Sequence, residues 1–160
     1  MDGYVLKQAD IERLEGLEKR HFLNPEAERV NKSLGDLTGL TDFGVHLIEV
    51  PPEKWTTERH VHYFEDECVY VLAGKATAHI GDDTVEIRAG DFIGYRAGGE
   101  SHTIHNTGSE TLRCLVVGSR LPHDVTDYPG LGKRLFRNAG QPWQIADATD
   151  LAEPDAGRKV

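Results

Sequence analysis

The chain has 160 residues, 38% of them apolar, which is enough for one folded core with terminal arms. Acidic residues outnumber basic ones 27 to 18, giving a formal charge of −9. Basic clusters are no longer than pairs such as Lys19-Arg20 and Lys133-Arg134, which excludes nucleic acid as a partner. No run of about eighteen apolar residues occurs, so a membrane-spanning helix is excluded as well. Met1-Asp2-Gly3-Tyr4 lacks the basic head and apolar stretch of a secretory signal. The two cysteines, Cys68 and Cys114, are too few for a disulfide framework and read as strand thiols in a reducing compartment. A cytoplasmic protein is expected.

From Gln8 to His21, Ile11, Leu14 and Leu17 recur at helical spacing with Asp10 placed to cap, and Asn24-Pro25 then breaks the helix. Residues 1–30 therefore predict an N-terminal arm or short helix outside the main body. The period then changes to two. Apolar runs at 44–50, 67–72, 76–80, 84–87, 91–95, 101–106 and 111–117 alternate with turns such as Ala73-Gly74-Lys75, Gly81-Asp82-Asp83 and Ala97-Gly98-Gly99. Many short strands with regular turns predict an all-β barrel or sandwich over residues 31–120. From 121 to 160 prolines are scattered among polar residues, which predicts an irregular C-terminal extension whose final stretch, from Asp147, is disordered.

The chemistry concentrates in His60-Val61-His62-Tyr63-Phe64-Glu65-Asp66-Glu67. On an extended strand His60 and His62 project from one face. Glu67 opens an apolar run in which Val69 and Val71 share its parity, and a carboxylate at the head of an inward face is costly unless paired or metal-bound. His102 follows in Ser101-His102-Thr103-Ile104-His105. Three imidazoles and one carboxylate suit Fe, Mn, Ni or Zn in the divalent state and suit Ca or Mg poorly. His105 has the parity opposite to His102 and is expected to face outward; Tyr95 and Phe43 are expected as pocket-lining aromatics, and Asn106 as a turn former.

The spacing of His60, His62, Glu67 and Gly74, followed by Gly90, Arg96-Ala97-Gly98, His102 and Asn106, resembles the two-part motif of the cupin superfamily over roughly residues 45–118. Three positions depart from it: Lys54 replaces a glycine, Arg96 replaces a proline, and one extra residue precedes His102. The resemblance implies a jelly-roll barrel holding one divalent metal through His60, His62, Glu67 and His102. Within the superfamily the chain looks most like small bacterial single-domain cupins, some of which carry provisional sugar-phosphate isomerase names. Three neutral imidazoles, a carboxylate and a divalent ion sum to +1, which favours an anionic or polyhydroxylated small molecule. The metal-dependent readings are a Lewis-acid enzyme of the isomerase type, an Fe(II)-dependent dioxygenase, or a non-catalytic binding or sensor module; a homodimer is compatible with each.

Overall fold

A computed structural model describes residues 3–154 and residue 157. In chain order the elements are α1 (Gln8–Arg13), β1 (Leu17–His21), β2 (Asn24–Ser33), α2 (Leu34–Leu37), β3 (Phe43–Val50), β4 (Val61–His62), β5 (Glu67–Ala73), β6 (Lys75–Ile80), β7 (Asp83–Arg88), β8 (Phe92–Tyr95), β9 (His102–His105), β10 (Leu112–Ser119), β11 (His123–Tyr128), β12 (Lys133–Asn138) and β13 (Gln144–Asp147). One six-stranded antiparallel sheet runs β1-β2-β3-β10-β5-β8. The remaining strands make a four-stranded sheet, β13-β12-β11-β4, and a three-stranded one, β7-β6-β9. No described helix is long and apolar enough to cross a membrane.

The all-β jelly roll expected from the sequence is what forms, and every internal strand read from period-two runs lies within two residues of an observed one. The pleat explains the core. Val69 and Val71 on β5 are buried while Tyr70 and Leu72 between them are exposed. Ile48 and Val50 on β3, Leu112 and Cys114 on β10, Ala76 and Ala78 on β6 and Ile104 on β9 close the interior from other sides. Gly74 joins β5 to β6 with φ +86°, and a Cβ there would lie 3.1 Å from the Leu112 backbone, so only glycine fits this turn.

Both ends are more regular than expected. The helix stops at Arg13, and Gly16 turns the chain with φ +77° so that Leu17–His21 pairs with β2 instead of continuing the helix. The helical spacing of Leu14 and Leu17 was coincidental; cross-strand pairing offers five residues a better home than an exposed helix end. Residues 123–147, expected to be irregular, form three strands, and β11 pairs with β4 through Thr126–His62 and Asp127–Val61. Alternation was hidden there by charges whose partners lie across the strands, as in Arg134–Asp127 and Lys133–Asp147. Of the stretch expected to be disordered, Asp147 ends β13 and Ala148–Asp150 form a 3₁₀ turn; residues 155, 156 and 158–160 lie outside the described set.

Asn106 is more than a turn former. It is fully buried, donates from Nδ2 to the Val50 and Glu110 carbonyls at 2.8 and 2.9 Å, and accepts from the Gly108 N–H at 3.1 Å. Asn106→Ala strands two carbonyls and an amide, so it should lower the unfolding free energy by about 3 kcal/mol in urea denaturation. A loss below about 1 kcal/mol would show that the turn holds itself without this side chain.

Candidate metal centre

The site is built where the three sheets meet. His60 and His102 exchange both backbone hydrogen bonds, at 3.1 and 2.8 Å, which brings their rings to 4.7 Å between centroids. The strand period then sets His62 beside His60, with the rings 4.8 Å apart and perpendicular. From the opposite sheet, Glu67 brings Oε1 to 3.9 Å from His102 Nε2. Ligand-capable atoms of His60, His62 and Glu67 lie within 4.8 Å of one another. All four residues line one cavity of about 480 Å³.

Each imidazole has its Nδ1 engaged by a group that can only accept. His60 Nδ1 lies 2.8 Å from the Glu58 carbonyl, His102 Nδ1 3.1 Å from the Glu100 carbonyl, and His62 Nδ1 2.6 Å from Asp124 Oδ2. Nδ1 must therefore carry the proton, which leaves the Nε2 lone pair of each ring as the one available to a ligand. His102 Nε2 is buried and has no hydrogen-bond partner. An orphaned buried acceptor facing a carboxylate and two further imidazoles is what a metal ligand looks like without its ion, so these residues fit a divalent transition metal.

The protonation states agree. Burial, reinforced by the neighbouring His62 and His102, holds His60 well below the usual imidazole range. Burial lowers His102 to about 4. For His62 burial pulls the same way, but the Asp124 hydrogen bond and the charges of Glu67, Asp124 and Glu65 outweigh it and raise its pKa. Burial raises Glu67.

Asp124 was not anticipated from the sequence. Its side chain is wholly buried, and besides His62 it accepts from the Phe64 N–H at 3.2 Å and the Thr126 hydroxyl at 3.0 Å. It sits on β11, some sixty residues from the motif, and only the sheet pairing reveals it. Tyr95 also lies in the cavity wall, stacked on His102 at 3.6 Å and 5° between planes, with its hydroxyl buried and unpartnered. Burial, then the charge of Glu67, raises that phenol's pKa, so it is a hydrogen-bond donor at neutral pH. Phe43 is half exposed and lines a neighbouring surface cleft with Cys68 and Gly94 instead of the metal-ligand cavity. His105 stacks on Trp55 at 4.2 Å and is not among the cavity-lining residues. Cys68 and Cys114 are both free thiols.

A cupin domain profile matches residues 46–118. The structure of a "Putative sugar phosphate isomerase" from Acidithiobacillus ferrooxidans is 48% identical, with a TM-score of 0.92, covering 95% of this chain and 97% of that one. A sugar phosphate isomerase from a cupin superfamily, from Silicibacter pomeroyi, shares the fold at 24% identity and a TM-score of 0.78, over 91% of this chain and 96% of that one. An oxalate-binding protein from Thermotoga maritima is 41% identical over 70 residues, which span 44% of this chain and only 56% of the relative.

The histidine pKa values set a pH dependence for the metal-free protein. The unfolded chain takes up protons on His60 and His102 near pH ~6.5, well before the folded state does. Their contribution is thus complete above ~6.5 and is lost as pH falls toward 4; for His102 alone the loss is about 3 kcal/mol. His62 and Glu67, raised in the fold, act in the opposite sense. In chelator, His102→Gln should therefore show a shallower fall of unfolding free energy between pH 6.5 and 4 than the parent. Identical slopes would mean that His102 ionises as freely folded as unfolded.

Proposed function

The chain belongs to the cupin superfamily, and we propose that its cavity binds one divalent transition metal through His60, His62, Glu67 and His102 and acts on a small polar metabolite as a Lewis-acid enzyme of the sugar-phosphate isomerase type. The observation that carries this reading is the grouping of His60, His62 and Glu67, whose ligand-capable atoms lie within 4.8 Å of one another, with His102 Nε2 3.9 Å from Glu67 in the same cavity of about 480 Å³. When bound, the metal supplies polarisation of a substrate carbonyl or hydroxyl oxygen. Four protein ligands on a six-coordinate ion leave room for two such oxygens.

The protein's own groups orient the substrate and line the cavity. Tyr95 holds a protonated hydroxyl beside His102, suited to donate to a substrate oxygen. Ile48, Val69, Ile104 and Val116 are among the apolar residues of the wall. Glu67, the cavity carboxylate that faces the imidazoles, would serve as an ionised ligand and offset part of the metal's charge.

One observation favours a second reading, a binding module without turnover. The other cavity-lining carboxylates are already occupied: Glu65 accepts from Leu121 N–H and pairs with Arg137, and Asp66 accepts from Ala97 N–H at 2.7 Å. Glu67 would be engaged as a metal ligand, so no carboxylate among the described cavity residues is left to move a proton. The partial match to an oxalate-binding protein points the same way.

Metal reconstitution tests the first step. About one Fe, Mn, Ni or Zn per chain should bind, and His102→Ala should abolish it while His105→Ala leaves it nearly intact. Asp124→Ala should cost about 10- to 100-fold in metal affinity by releasing His62. Turnover is then sought with sugar phosphates, keto acids and catechols, each metal, with and without oxygen. Anaerobic turnover with Mn, Zn or Ni supports the Lewis-acid enzyme. Oxygen uptake that needs Fe(II) would replace it with a dioxygenase, and thermal shifts without product would replace it with a binding module.

A further inference from the structure

The cavity's basic residues fall into two kinds. Arg20 is paired with Glu28 at 2.6 Å, Arg120 with Asp36 at 2.5 Å, and Arg137 with Glu65. Lys19 and Arg29 also line the cavity, yet neither forms an ion pair among the described residues. They are directly opposite each other in the β1–β2 register, so their side chains share one face. Like charges so placed repel, and acids are abundant in this chain, with 27 Asp and Glu available to separate them. Arg29 spends one nitrogen, Nη1, on the Thr56 carbonyl, while its Nε is buried with no partner.

The surroundings are tuned to the same end. Burial and the positive charges of Arg29 and Arg120 depress the Lys19 amine, with only Asp36 opposing. Burial depresses Arg29, with Glu67 opposing. Beside them Asn31, Ser33 and His46 form a hydrogen-bonded cluster, with Ser33 Oγ 2.9 Å and Asn31 Nδ2 3.2 Å from His46 Nδ1. Asn31 and His46 line the same cavity, so this face is polar and donor-rich.

We infer that Lys19 and Arg29 form an anion subsite that takes the phosphate group of a phosphomonoester, whose oxygen-rich other end reaches the His60/His62/Glu67/His102 cluster. Two uncompensated cations match the charge of −1.5 to −2 on a phosphomonoester at neutral pH, whereas one carboxylate leaves a cation unmet. Arg29 supplies a planar donor edge and Lys19 a mobile point charge, a complementary pair for tetrahedral oxygens. The subsite deepens the isomerase-type reading and rests on it for the role of the metal, but phosphate binding itself needs no metal. Placing the anion on β1 and β2 also gives the two N-terminal strands a function: they carry specificity for a barrel whose chemistry lies elsewhere.

The test uses the full chain in chelator, with inorganic phosphate and a simple alkyl phosphomonoester as probes in calorimetry and thermal shift. Phosphate should stabilise the parent. Lys19→Met should weaken phosphate binding at least about tenfold and raise the melting temperature of the anion-free protein, because the repulsion is gone. A merely structural lysine would not produce that pair of opposite effects. Arg29→Lys keeps the charge and loses the planar edge, so it should fold and bind several-fold more weakly. Arg20→Met, already neutralised by Glu28, should stay within about threefold of the parent. Equal phosphate affinity in the parent and Lys19→Met would overturn the subsite, as would an equal loss in Arg20→Met. Acetate or malonate binding more tightly than either phosphate would overturn the phosphate assignment. Because no metal is present, failure here leaves the metal centre standing, and failure of metal reconstitution leaves this result standing.

Discussion

Three histidines can be sunk into the wall of an apolar barrel only if each ring has somewhere to put its proton. Here every Nδ1–H has a fixed acceptor: two backbone carbonyls, of Glu58 and Glu100, and the carboxylate of Asp124. The carbonyls belong to the residue two before each histidine, so backbone shape alone sets the tautomers of His60 and His102. His62 lacks that local option and depends on a strand that arrives much later in the chain. From this constraint follow the depressed basicity of two rings, the raised basicity of the third and the common availability of Nε2. Neutral rings are the ones able to ligate a metal, so the same burial that disfavours protonation prepares the donors.

The fold serves that arrangement at both ends. Its inner strands bring His60 and His102 into a backbone-bonded pair and put Glu67 opposite, next to Tyr95 in the β5–β8 register. β11 then adds Asp124, which Arg137 on β12 flanks while pairing with Glu65. A second cluster of acidic and imidazole groups, His62, Glu65 and Asp124, is thus already supplied with a cation by the protein itself. The guanidinium offsets two buried carboxylates that would otherwise repel each other and distort His62. The C-terminal sheet is consequently a support for the histidine cluster and not an appendage to the barrel.

What could be read from the sequence, and what could not, divides along the same line. His60, His62 and Glu67 were legible because strand parity and an eight-residue stretch confine them, and Gly74 because its turn tolerates nothing else. His102 followed from motif spacing, and the outward turn of His105 from parity. Asp124, Lys19 and Arg29 were not legible, since a buried acid on a charged strand and a basic pair across a hairpin have meaning only through partners distant in sequence or register. The helix expected over 8–21 failed for a related reason. Three leucine or isoleucine side chains at helical spacing are weak evidence when Gly16 interrupts them and a partner strand is waiting. The irregular end expected beyond residue 120 failed because charged residues mask alternation when their counter-ions lie on the neighbouring strand.

The distribution of unsatisfied groups completes the physical picture. Buried polar atoms in a native fold are nearly always paired, and this chain pairs Asn106, Asp124 and Thr126 completely. Yet among the described residues five buried side-chain atoms lack a hydrogen-bond partner, of which Arg113 Nε and Arg137 Nη2 lie beside Glu49 and Glu65. Tyr95 Oη and Arg29 Nε have no such neighbour, and His102 Nε2 has only Glu67 at 3.9 Å; all three belong to residues of one cavity, as does the unpaired Lys19. Their concentration means that stability has been given up in one place, and the groups left wanting are an acceptor, a neutral donor and two cations. Satisfying them all takes a cation held between the imidazoles and, beside it, a molecule with a hydroxyl or carbonyl near Tyr95 and an anion at its far end. An ion bound at the cluster and a phosphorylated, oxygen-rich metabolite spanning from it to β1 and β2 have that form.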